Sequence, residues 1–194
     1  MSKGRLEAFS DGVIAIVITI MVLELHVPHG VDLAALAALW PVFFCYLLSF
    51  VFVGIYWNNH HHLLHAATKI SGSVLWANLH LLFWLSLVPF TTRWLGENHF
   101  APLPTALYGV DLLLASVAYF ILVRAILATQ KHDSTLAVAV GKDVKGKVSV
   151  LIYLVAVPLA FVRPWIADLL YVLVAGMWLV PDRRIETRLG MVDE

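Results

Sequence analysis

The sequence predicts an all-α polytopic membrane protein with six transmembrane helices and both termini cytoplasmic. Composition, the blocking of apolar residues and the placement of basic residues lead there. Of 194 residues, 61% are hydrophobic and 13% charged, with a mean hydropathy of +0.85. Soluble domains carry about a quarter charged residues, roughly twice this share. The apolar residues also come in long blocks, which a soluble core does not need.

Spanning a bilayer takes about 20 apolar residues, and six segments approach that length. The first runs from about Phe9 to Leu25 and closes at the break His26-Val27-Pro28-His29-Gly30. The second runs from about Leu33 to His60, the third from Ser71 to Trp94, and the fourth from Pro104 to Ala128 with Asp111 as its one acid. The apolar region Val148 to Val180 is too long for one helix and is interrupted at Arg163-Pro164. It reads as a hairpin, Val148 to Val162 and Trp165 to Val180.

Charge placement tests the count. With six spans and an inner N-terminus, the inner segments hold Lys3, Arg5, Lys69, Arg124, Lys131, Lys142, Lys145, Lys147, Arg183, Arg184 and Arg188. The outer ones hold only Arg93 and Arg163. That is a strong positive-inside bias, which an odd number of spans would spoil. Trp40, Trp57, Trp94, Trp165 and Trp178 fall near the expected interfaces, where aromatic belts form. The whole chain, 1–194, reads as one membrane domain, with 183–194 as a short cytoplasmic tail.

Other classes fit poorly. Zero formal net charge argues against nucleic acid as a partner. The single Cys45 allows no disulfide within the chain. Lys3 and Arg5 before an apolar run resemble a signal peptide, but Ser10 and Asp11 adjoin the run and no small-x-small cleavage site comes after it. The segment is therefore expected in the mature chain. His61 and His65 share a helical face, yet no acid lies in that stretch and no H-E-x-x-H pattern is present, so no metal site is expected.

The first span carries the most information. Arg5, Ser10 and Asp11 place charge and hydrogen-bonding groups at the lip of a membrane helix, where they are costly unless protein receives them. At about 100° per residue, Ile16, Ile20 and Leu23 stack on one side with Thr19 beside them. Composition cannot select that side, because the helix is apolar nearly all round. Depth adds a constraint. From Leu33 to Trp57 is about 36 Å at 1.5 Å per residue, so Trp57 and His60 reach the inner end, as Asn78 does early in the third span. Ser10, Asp11, Trp57, His60 and Asn78 are therefore expected at one depth, where they satisfy one another as a clasp on the first helix.

The pattern R-x-x-x-F-S-D, filled by Arg5, Phe9, Ser10 and Asp11, resembles the signature of the transmembrane-protein-175 potassium channel family. Gly12 to Ile20, Trp57-x-x-His60, Asn78-Leu79 and Pro89-Phe90 fit the same pattern, and the likeness covers the whole chain as one six-span unit. The resemblance implies a homotetramer in which four first helices surround a central cation pathway, without a re-entrant filter loop. It places the hydrophobic constriction on Ile16, continued outward by Ile20 and Leu23, with a threonine layer at Thr19. Arg5, Phe9, Ser10 and Asp11 with Trp57, His60 and Asn78 would form the signature polar network. Glu24, by position alone, is expected to concentrate cations at the outer mouth.

The expected function is passive, leak-type conduction of potassium in preference to sodium, in the plasma membrane of a prokaryote. The partners are potassium ions, the lipid bilayer and three further copies of the chain, with no cofactor beyond the permeant ion. The alternative is a proton- or metal-coupled secondary transporter in which Asp11, Asp111 and the histidines relay charge. It lacks the broken helices and repeats common in transporters. An enzyme is not expected, because the histidine cluster has neither a nucleophile arrangement nor supporting acids.

Overall fold

The computed structural model describes residues 2–129 and 143–179. Lys131, Lys142, Arg183, Arg184, Arg188 and the 183–194 tail lie outside the described residues, as does most of the connector 129–147. The described elements are helices: α1 (Lys3–Leu23), α2 (Leu33–Ala37), α3 (Trp40–Ala66), α4 (Gly72–Glu97), α5 (Pro102–Leu127), α6 (Val144–Leu159) and α7 (Pro164–Leu179). By length and composition α1, α3, α4 and α5 suffice to cross a membrane. The last two have 16 residues each, about 24 Å of helix against a hydrocarbon core of about 30 Å.

The segment expected as one helix from Leu33 to His60 is two. Asp32 Oδ1 accepts from the Ala35 amide at 2.8 Å and starts α2, which stops at Ala37. Pro41, in the first turn of α3, has no N–H to return to an upstream carbonyl, so a continuous helix would lose a hydrogen bond there. The longer helix then runs past His60 to Ala66. From Trp40, Trp57 is about 26 Å along the axis, shorter than the span counted from Leu33 but still toward the far end. The hairpin is also shifted: α6 begins at Val144 and ends at Leu159, ahead of the Arg163-Pro164 break.

Within the bundle α4 is central, packing against α5, α3 and α1, while α5 carries α6 and α7. Two apolar clusters result. One joins α1, α3, α4 and α5 around Ile14, Val17, Leu64, Leu81, Leu85 and Leu122. The other joins α3, α5, α6 and α7 around Phe52, Tyr108, Tyr153 and Tyr171. Small residues let these helices approach, as membrane interfaces require. A Cβ on Gly109 would collide with the Tyr171 hydroxyl, and one on Gly96 would lie 2.8 Å from Val42 Cα. The α4–α5 turn uses left-handed backbone at His99 and Phe100, with φ of 50° and 60°. It aims the Phe100 ring at Trp40 and Phe44, with centroids 5.5 and 6.0 Å away.

The exterior is apolar as well. Leu47, Phe83, Leu151, Leu154 and Leu173 are all exposed, a surface that a bilayer covers and water does not.

Candidate functional site

Packing selects a face of α1 where composition could not. Leu6, Ser10, Ile14, Val17 and Met21 are buried, at the three- and four-residue spacing of a single helical stripe. That stripe lies against α3 and α4. Away from it, Arg5, Phe9, Gly12, Ile16, Thr19, Ile20 and Leu23 are exposed. Ile16 is 58% and Leu23 79% exposed, so the four residues expected to line a pathway lie on unpartnered surface. They extend along about 10 Å of axis from Ile16 to Leu23. Thr19 Oγ1 donates to the Ile16 carbonyl at 2.9 Å. That bond uses the only hydroxyl proton, so the oxygen is left as an acceptor with free lone pairs.

Behind the stripe lies a chain of hydrogen bonds. Asn78 Nδ2 donates to Ser10 Oγ at 2.9 Å, and Asn78 Oδ1 meets His60 Nε2 at 2.7 Å. An amide oxygen only accepts, so His60 Nε2 carries the proton. Ser10 and Asn78 are wholly buried and His60 nearly so. Beside them, Trp57 Nε1 donates to Asp11 Oδ1 at 3.0 Å from a more exposed position. Three helices are thereby tied at one level. Lys3 Nζ also reaches the His65 carbonyl at 2.5 Å, fastening the start of α1 to the end of α3.

The structure does not bring every expected network residue into this chain of bonds. Phe9 is 48% exposed, and among the described residues no hydrogen bond or ion pair involves the Arg5 side chain. Both sit on the free face of α1, one and two turns below Gly12. His61 stacks on His65 with centroids 6.3 Å apart. Among the described residues no three His, Cys, Asp or Glu side chains converge on a metal-sized site.

At the other end, Glu24 is not a free charge. Arg93 on α4 pairs with its carboxylate, donates to Glu97 at 2.9 Å and approaches His26 Nε2 at 3.3 Å. The partner of Glu24 lies 69 residues away and is shared with Glu97, so one cation faces two carboxylates. Arg93 had one visible signal, its place as one of two outer basic residues.

A second polar group was not expected. Thr92 Oγ1 donates to Ser49 Oγ at 2.6 Å, and Ser49 pairs with the Tyr108 hydroxyl at 2.9 Å. One turn away Thr91 donates to Asp111 Oδ2 at 3.0 Å, while Asp111 Oδ1 has no partner among the described residues. These groups join α3, α4 and α5 behind the α1 contact.

Comparisons with known proteins point to ion channels. The family model described as endosomal/lysosomal potassium channel TMEM175 matches residues 5–89. A protein of Chryseobacterium sp. (strain P1-3), named a potassium channel, is 52% identical over 189 residues, which is 97% of this chain and 98% of that one. The Homo sapiens endosomal/lysosomal proton channel TMEM175 is 44% identical over 87 residues, 37% of this chain and 17% of its own. Among solved structures, the crystal structure of a lysosomal potassium-selective channel TMEM175 homolog from Chamaesiphon minutus superposes with a TM-score of 0.79 and 28% identity. It covers 92% of this chain and 96% of that one.

Proposed function

Since this chain belongs to the TMEM175 channel family, we propose that it is a potassium-selective, leak-type cation channel whose pathway is lined by the exposed face of α1. Relatives matched over most of their length carry the name of potassium channel, which favours a channel over an ion-coupled transporter. The observation that carries the assignment of the face is the contrast around α1: one stripe is sealed against α3 and α4, and Ile16, Thr19, Ile20 and Leu23 are left without partners.

In this reading four copies surround a central pathway, so that each contributes one α1. The chain crosses the membrane six times, α6 and α7 forming a short final hairpin, and both termini are cytoplasmic in the plasma membrane of a bacterium. Rings of Ile16, Ile20 and Leu23 make an apolar constriction that controls conduction by wetting and dewetting. Thr19, its proton held by the Ile16 carbonyl, offers oxygen to a partly dehydrated cation. The bonds from Ser10 to Asn78 and from Asp11 to Trp57 hold α1 at a fixed rotation, and the Arg93–Glu24 pair holds its outer end. Both constraints matter because a 100° turn of α1 would carry a neighbouring residue into the pathway.

Cysteine accessibility tests this face. The native Cys45 is buried, which keeps background reaction low. Leu23→Cys is expected to react with a water-soluble methanethiosulfonate and lose potassium flux in liposomes, whereas Met21→Cys, on the sealed stripe, resists. The same preparation should weigh as four copies. Block at Met21→Cys without block at Leu23→Cys overturns the assignment.

A further inference from the structure

We infer that the cleft between α3, α5 and α6 binds a single membrane phospholipid with a net-negative headgroup, its acyl chain inside the cleft and its phosphate at Lys147. The cavity has a volume of about 320 Å³, at the small end of the roughly 300–1,000 Å³ of ligand pockets. Phe52 and Tyr56 from α3, Phe120 from α5 and Tyr153 from α6 form its aromatic wall.

Several polar groups lining the cavity are already engaged. Tyr119 donates to the Asn59 carbonyl at 3.2 Å, and Trp178 Nε1 to Ser149 Oγ at 2.9 Å. Phe52, Ile55, Val117, Phe120 and Val150 make up most of the remaining lining, a surface that suits hydrocarbon better than a polar guest. The body of the occupant is therefore apolar.

The rim differs. Lys147 lines it, is exposed, and among the described residues enters no ion pair. Asp143, the acid on the same rim, is engaged as the N-cap of α6, accepting from the Gly146 amide at 3.1 Å, where the positive end of the helix offsets its charge. Lys145 adds a second cation two residues away, 5.9 Å from the Trp178 ring centroid, and Arg124 adds a third in the last turn of α5. An apolar slot under a basic rim is complementary to a lipid with a negative headgroup. A water-soluble phosphate would satisfy the rim and leave the slot empty, so the bilayer is the source.

Native mass spectrometry of the full chain tests this, after exchange into phosphatidylglycerol or phosphatidylcholine of identical acyl chains. Wild type should retain one phosphatidylglycerol per subunit in preference to phosphatidylcholine. Lys147→Gln should reduce that preference about five-fold, the contribution of one basic residue near a membrane surface. Lys69→Gln, which removes a basic residue outside the cavity, should leave it unchanged. Val150→Trp, filling the slot, should abolish retention of both lipids; if that variant misfolds, the two lysine variants decide alone. Equal retention of the two lipids by wild type overturns the proposal, as does an equal loss from Lys69→Gln and Lys147→Gln, or displacement of the bound lipid by inorganic phosphate alone. Lipid mass is read without reference to ion flux, so this result stands apart from the assignment of the pore face.

Discussion

Ile14 and Ile16 stand on opposite sides of α1. Two positions apart, they are turned by about 200°, and Ile14 is 1% exposed where Ile16 is 58%. The same side chain thus has two different duties, one in the bundle and one on the free surface.

Substitution separates them. Ile14→Asn buries an amide among Val17, Leu81 and Leu85 without a partner, which costs about 1–3 kcal/mol and should lower the melting temperature of the detergent-solubilised protein. Ile16→Asn should leave that temperature within the spread of wild type. Thermal unfolding followed by light scattering distinguishes the two outcomes.

Asn78 serves two partners with the two ends of one amide. Asn78→Leu leaves the Ser10 hydroxyl and the His60 imidazole buried and unpaired, and should destabilise the fold by about 2–4 kcal/mol, near the sum of two orphaned groups. A double-mutant cycle with Ser10→Ala should show non-additivity of about 1 kcal/mol. Additive losses would mean that the two residues do not interact.

Arg93 and Glu24 are each about a third exposed, so their attraction is screened. Glu24→Gln should cost no more than about 1 kcal/mol. It should also lower potassium conductance at low ionic strength, because Arg93 is shared between Glu24 and Glu97 and the cluster loses its net negative charge. The exchange Glu24→Arg with Arg93→Glu should restore whatever stability either single change loses. Unchanged conductance in Glu24→Gln would show instead that this acid does not gather cations.

Thr19 tests the oxygen layer. Thr19→Val keeps the shape and removes the hydroxyl, and should lower potassium-over-sodium preference several-fold while flux persists. Thr19→Ser keeps the oxygen and should hold most of the preference. Reversal potentials under mixed potassium and sodium gradients report both.

Much of this arrangement is legible in the chain. Long apolar blocks foretell α1, α3, α4 and α5, and counting 1.5 Å per residue places Ser10, Asp11, Trp57, His60 and Asn78 at one depth. Which side of α1 is free is not legible, since Ile14 and Ile16 are chemically identical and only packing against α3 and α4 tells them apart. The division of α2 from α3 is hidden because Leu33–Ala37 is as apolar as the start of α3, although Pro41 marks the place. The pairing of Glu24 with Arg93 depends on contact across 69 residues, which spacing along one helix cannot reveal. Arg5 and Phe9 are singled out by the motif alone, and both lie on the exposed face of α1 that holds Ile16.

The free face of α1 is tested most directly by the reversal potential of proteoliposomes holding potassium on one side and sodium on the other. Wild type should reverse near the potassium limit, and folded Ile16→Asn should shift substantially toward zero while still passing current. An unshifted reversal potential in Ile16→Asn, with the assembly and its thermal stability as in wild type, would contradict the assignment of Ile16 to the pathway.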